Sequence, residues 1–191
     1  MLLLASTSPF RAALLRSAGV AFEICASDIE ETDDPAIAPR AQALSFARQK
    51  AAALSSRFPS ALVLGADQTL ELDGRLLRKP NTRAEARAQL SALAGKTHTL
   101  HSAIALFRQL PRVRRSAITS IHLRMRSLSP RAIEAYLDTG EWQGCAGSYR
   151  VESQGLNLFE SIRGDYHAII GLPMLKLLRL LRNLGEGPFG T

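Results

Sequence analysis

The side chains best suited to chemistry are the acids Asp67, Glu30 and Glu31 and the bases Arg11, Lys50 and Lys79. Asp67 follows directly on Ala61-Leu62-Val63-Leu64-Gly65-Ala66. That continuous apolar run, bounded by turn residues, suits a strand buried on both faces. A carboxylate at the end of such a strand stands where α/β folds place their ligand sites. The residue type alone fits a loop acid bonding nearby amides equally well. Glu30 and Glu31 lie in a loop between a strand and a helix, a placement that can bring them to the same crevice. Acids gathered around a phosphate repel one another unless a hard divalent cation joins them, and magnesium is usually held by one or two carboxylates together with substrate phosphates. Such an ion neutralises the phosphates and orients a water whose proton a carboxylate accepts.

The bases supply the complementary half. Lys50 sits on the helix after the acidic loop, Lys79 stands beside the stiffening Pro80, and Arg11 lies early on the first helix. Lysine offers a compact charge to phosphate and arginine a planar fork. Taken singly each reads as a surface charge. Ser6 and Ser8 join the set through local structure: Leu2 to Ala5 is a short apolar run, and Ser8-Pro9 is a strong helix-start signal. Strand, polar turn and helix N-terminus in that order present hydroxyls and free amides to an anion.

The elements that position these residues follow from periodicity and turn signals. A helix is expected from about Phe10 to Ser17, a strand from Val20 to Cys25, and an acidic loop from Asp28 to Pro39. A long helix follows over roughly Arg40 to Arg57, then the strand ending at Ala66, then a hairpin over Gln68 to Leu77 with Asp73-Gly74 at its tip. Further on, Thr82 to Leu93 reads as a helix, Thr97–Leu106 and Ala117–Arg126 as strands joined by an exposed Arg-rich turn, and Ser129-Pro130 as the start of a helix to about Thr139. Gly144 to Gly164 suggests short strands, and Pro173 to Leu184 a closing amphipathic helix. Alternating strands and helices with hairpins specify an α/β fold: one domain over residues 1–191, with a mixed, twisted central sheet flanked by helices and two lobes around a cleft.

The formal charge of +7 fits an anionic partner, either a nucleic acid or a small polyphosphate. Aromatic residues make up only 6%, with no basic–aromatic repeat to stack single-stranded bases, so stable nucleic-acid binding is not expected. Cys25 and Cys145 are far apart and read as small buried residues; His98, His101, His122 and His167 lack metal-ligand spacing and read as structural or surface groups. No apolar stretch approaches a membrane span, and a cytosolic protein is expected. ATPase, serine hydrolase and kinase motifs are missing.

Read together, the motifs resemble one family. Leu4-Ala5-Ser6-Thr7-Ser8-Pro9-Phe10-Arg11, Ile29-Glu30-Glu31-Thr32, Ala47-Arg48-Gln49-Lys50-Ala51, Gly65-Ala66-Asp67-Gln68, Lys79-Pro80, Cys145-Ala146-Gly147-Ser148-Tyr149, Gly164-Asp165-Tyr166 and Gly171-Leu172-Pro173 resemble the ordered motifs of the Maf family. The resemblance implies a fold like that of the inosine triphosphatases, usually as a homodimer. It also implies hydrolysis of nucleoside triphosphates between the α- and β-phosphates with magnesium, manganese or a similar ion. Asp67 matches the position of the catalytic base, and Ser6, Arg11, Glu31, Lys50 and Lys79 match positions around phosphate and metal.

Departures from the family pattern bear on the nucleobase. Members preferring dTTP and UTP carry Arg, Thr and Gln where this chain has Phe10, Gln68 and Glu152. The chain is more similar to the branch acting on 7-methyl-GTP, whose residues there are Trp, Gln and Glu. An aromatic Phe10 would stack on a positively charged 7-methylguanine with a cation–π gain of roughly 0.5–2 kcal/mol. Glu152 would accept from the guanine N1–H and amino group, a charge-assisted pairing that uracil cannot reproduce. The expected role is removal of modified nucleotides. The rival expectations are a dTTP/UTP enzyme of the same family and a non-catalytic regulator that binds nucleotides or nucleic acid and acts in cell division.

Overall fold

A computed structural model describes residues 1–189. The chain folds as a mixed α/β structure around one seven-stranded sheet. In chain order the strands are β1 (Leu2–Ala5), β2 (Glu23–Ile24), β3 (Leu62–Leu72), β4 (Arg75–Leu77), β5 (Thr97–Arg108), β6 (Val113–Met125) and β7 (Phe159–Arg163). The helices are α1 (Pro9–Ser17), α2 (Pro39–Arg57), α3 (Arg83–Leu93), α4 (Pro130–Leu137), α5 (Tyr166–Ile170) and α6 (Met174–Arg182). The strands run in the order β2-β1-β3-β5-β6-β7, with β4 also on β3. β1 pairs in parallel with β2 and β3, and the remaining pairs are antiparallel.

β3 organises the fold. One edge bonds β5 from Val63 to Glu71; the other bonds β1 only as far as Gly65 and β4 only from Leu70. Residues 66–69 on that second edge therefore have no neighbouring strand among the described residues, and the sheet opens there. Successive side chains alternate between faces. Asp67 and Thr69 point towards α2, whereas Gln68 points to the opposite face, where α5 lies.

Three apolar clusters fill the sheet faces. On one face α2 packs Ala43, Ala47, Ala51 and Leu54 against Val63, Ala103 and Ala105. On the other, α1 and α6 bring Leu15, Leu177 and Leu181 onto Leu62, Leu64, Ile104 and Leu106. At the far end of the long strands, α3 and α4 cover Leu70, Leu100, Ile121 and Leu123 with Leu90, Leu93 and Ile133. No helix among the described residues is long and apolar enough to cross a membrane.

Several expected boundaries shift for physical reasons. Asp67 lies inside β3 rather than just after it, because pairing with β5 carries the strand on to Leu72. The strand expected over Val20–Cys25 shrinks to Glu23–Ile24, since β1 offers only a four-residue edge. Arg114 and Arg115 belong to β6, so only Arg112 of that run lies in the turn. Residues 144–164 form two 3-10 turns and the single strand β7. Helix α5 was not expected: Asp165 caps it, its side chain accepting from the His167 amide at 3.0 Å. Cys25 and Cys145 are partly rather than fully buried. His98 and His101 do pack structurally, His98 against the Tyr149 hydroxyl at 2.8 Å and His101 between Ser120 and Glu71. Burial holds His98 down at about 4, so it stays neutral.

Candidate active site

The gap beside residues 66–69 of β3 is the floor of a cleft of about 630 Å³. Ser6, Ser8, Phe10, Arg11, Glu31, Lys50, Asp67, Gln68, Lys79 and Glu152 all line it. Glu30 does not line it; adjacent side chains of an extended loop point apart, and Glu30 is exposed.

Lys50 lies on the buried stripe of α2 with Ala43, Ala47, Ala51 and Leu54, a position that normally carries an apolar residue. Its charge is tolerated because its ammonium meets Asp67 Oδ1 at 2.7 Å and Glu31 Oε1 at 2.6 Å. The Lys50 and Asp67 side chains are each only 10% exposed, while Glu31, on the loop before α2, is 43% exposed. The helix approaches closely because the strand carries Gly65 there: a Cβ on Gly65 would stand 2.1 Å from the Ala47 carbonyl oxygen and 2.7 Å from the Ala51 nitrogen. Removing that one methyl group from the interface brings Lys50 within reach of Asp67.

Burial pushes the Asp67 carboxyl above the ordinary carboxylate range, while Lys50 and then Arg11 pull it back and Glu31 adds to the rise. Arg11 is shifted down by burial, against the pull of Asp67 and Glu31. Its Nη1 donates to Ser6 Oγ at 3.0 Å and its Nε to the Gly171 carbonyl at 3.3 Å. Gly171 permits that contact, since a Cβ there would come within 2.9 Å of Arg11 Cγ. Ser8 caps α1 by accepting from the Arg11 amide at 3.4 Å, and its own amide donates to Ser6 Oγ at 3.2 Å. Acid, ammonium, guanidinium and helix N-terminus thus converge from β3, α2 and α1.

The other end of the cleft differs in character. Phe10 is 37% exposed, a face turned to the cleft rather than a core residue. Gln68 donates from Nε2 to the carbonyls of Ala168 and Ile169 at 2.8 and 2.9 Å, which leaves its Oε1 as the acceptor still to be used. Glu152 stands 3.6 Å from the Nε of Arg150, and the Arg150 guanidinium lies 5.4 Å from the centre of the Phe10 ring. Arg150 was not among the residues singled out in the sequence. Its position two residues before Glu152, on the same loop, was the only available signal.

Replacing Lys50 with Met tests the acid–ammonium pair. If Asp67 serves as a base, the rising limb of the pH–rate profile should move to higher pH, because Asp67 loses the group that lowers its pKa and a base acts only when ionised. Breaking a buried pair costs about 3–5 kcal/mol. Asp67 binds its proton more tightly folded than unfolded in this variant, so the loss should be largest above its raised folded pKa and relieved in acid. Thermal melts across pH measure it; a pH-independent loss contradicts the pairing.

A cleft in which acids and bases converge, set in a mixed α/β sheet, is the class of site these features define. The chain belongs to the Maf family: the description "Maf-like protein" matches residues 1–184. It is similar to a 7-methyl-GTP pyrophosphatase of Xanthomonas oryzae pv. oryzae (strain MAFF 311018), 42% identical over 185 residues that cover 96% of each chain. A 7-methyl-GTP pyrophosphatase of Hahella chejuensis is 40% identical over 96% of this chain and 94% of its own. A nucleoside triphosphate pyrophosphatase of Nitrobacter winogradskyi is 43% identical over 95% of this chain and 93% of its own.

Proposed function

We propose that the chain is a hydrolase that cleaves nucleoside triphosphates to the monophosphate and pyrophosphate, with Asp67 as the base and 7-methyl-GTP as the favoured substrate. The observation that carries the reading is the meeting of Asp67 and Glu31 on one ammonium, inside a cleft that also presents Arg11 and Lys79. Lys50 engages Oδ1 of Asp67 and leaves Oδ2 to take the proton of an attacking water. Burial makes that carboxylate a stronger base than an ordinary aspartate, and Lys50 opposes the rise. Arg11, fixed by Ser6 and Gly171, and Lys79, from the loop after β4, bind and orient the phosphates.

A divalent cation such as magnesium or manganese fits the donor set, because two carboxylates already share one cationic group at hydrogen-bond distance. Glu31 and Asp67 would hold it, with substrate oxygens completing its shell; among the described residues no three His, Cys, Asp or Glu side chains cluster to hold a metal unaided. When bound, the ion neutralises phosphate charge and acidifies a water.

Base preference rests on Phe10, Gln68 and Glu152. The Phe10 face suits a cationic ring, and the acceptors on Glu152 and Gln68 suit the N1–H and amino group of guanine. The names of the Xanthomonas and Hahella relatives, both 7-methyl-GTP pyrophosphatases, support the same base. Removing methylated nucleotides from the pool is the role such selectivity serves. A panel of triphosphates with magnesium, followed by pyrophosphate release, tests the reading. Phe10→Ala and Glu152→Gln should each lower kcat/KM for 7-methyl-GTP roughly 2- to 30-fold more than for UTP. Equal losses on both substrates would remove the methylguanine assignment while leaving the hydrolysis intact.

A further inference from the structure

Arg150 occupies the part of the cleft that the preceding reading gives to the nucleobase, and this inference rests on that reading. Its guanidinium lies 5.4 Å from the centre of the Phe10 ring, a cation on the aromatic face. Its Nε stands 3.6 Å from Glu152 Oε1, and that buried nitrogen has no hydrogen-bond partner among the described residues. A positive group thus rests on both partners suited to a positive ring, held by a charge contact longer than a hydrogen bond and lying beside the Cys145 thiol.

The backbone beneath it is fixed. The Arg150 amide donates to the Tyr136 hydroxyl at 3.0 Å, and that hydroxyl donates to Glu141 at 3.2 Å. Glu141 also accepts from Ser153 Oγ at 2.6 Å and from the amides of Gln154 and Gly155 at 3.2 and 3.1 Å. The Arg150 side chain is the part of this stretch that those bonds do not tie down.

We propose that Arg150 is a specificity-determining residue that sets how strongly the cleft separates a cationic nucleobase from a neutral one. A neutral ring slides onto Phe10 beneath the guanidinium, which keeps an aromatic face and its charge contact with Glu152. A positively charged ring cannot share Phe10 and Glu152 with a second cation, so the guanidinium has to leave both. Arg150 thereby weakens binding of the cationic base selectively. It also opposes retention of the methylated monophosphate, which carries the same ring after cleavage.

The test is calorimetric titration of the intact protein with 7-methyl-GMP and with GMP, in mildly acidic buffer that keeps the methylated ring charged. Arg150→Met keeps the aliphatic stem and removes the charge; it should shift the ratio of the two dissociation constants about tenfold towards 7-methyl-GMP. Arg150→Lys, which keeps the cation, should leave the ratio within about twofold of the parent. If the Met variant does not fold, Arg150→Gln makes the same charge removal. A ratio that stays put or moves towards GMP in the neutral variant overturns the proposal, as does equal weakening of both ligands, the mark of a phosphate contact. The readout is a change in ratio. It decides the role of Arg150 whichever base the parent prefers, and the turnover panel separately decides the substrate.

Discussion

Asp67→Asn is expected to lower kcat by about 10²–10⁴-fold, the usual contribution of a positioned general base. The side chain keeps its size, and its amide oxygen still accepts from Lys50, so the packing of the site should be kept. Ionised Asp67 is a cost to the fold: burial raises its pKa above the unfolded value, so its contribution is most favourable below the unfolded pKa and declines as pH rises through the folded one. The Asn variant has no such titration, and Lys50 keeps Glu31 as a partner. Its melting temperature near neutral pH should therefore equal or exceed that of the parent. Steady-state kinetics with thermal melts check both halves, and a fully active Asn variant removes Asp67 as the base.

Gly65→Ala should damage stability and activity together. The added methyl group meets the Ala47 carbonyl oxygen and the Ala51 nitrogen, backbone atoms of α2 that move only with the whole helix. Overpacking of this kind costs about 1–3 kcal/mol, or roughly 2–12 °C in melting temperature at 2–4 °C per kcal/mol for a chain of this size. Lys50 precedes Ala51 on the displaced helix, so the Lys50–Asp67 contact at 2.7 Å lengthens with it. The pH–rate profile of the surviving protein should move in the same direction as that of the Lys50→Met variant. An unchanged melting temperature would show that α2 does not rest on Gly65 as described.

Much of the cleft was legible because local signals fixed it. Ser8-Pro9 announces a helix N-terminus, and the apolar run before Asp67 announces a buried strand; both signals act within a few residues. The periodicity of α2 placed Lys50 on a helix, although only the packed structure shows that it shares the stripe facing β3. What could not be read was set by pairing between distant segments. β3 runs past Asp67 because β5, about thirty residues later in sequence, bonds it as far as Glu71. The cleft opens there because β1 is short, a fact about the partner strand and not about β3. Residue type and spacing alone do not separate Glu30 from Glu31, only the family resemblance pointed to Glu31, and the path of an irregular loop decides which one reaches Lys50. Arg150 escaped notice because a lone arginine in a glycine-rich stretch carries no periodic signal; its significance comes from Phe10, which α1 brings opposite.

The most direct measurement is a phosphorus NMR time course of 7-methyl-GTP hydrolysis by the parent protein and the Asp67→Asn variant, with magnesium present. Pyrophosphate and 7-methyl-GMP should appear together as the first products, and the variant should form them at least about a hundredfold more slowly. Orthophosphate with the diphosphate as first products, or equal rates for the two proteins, would contradict the account.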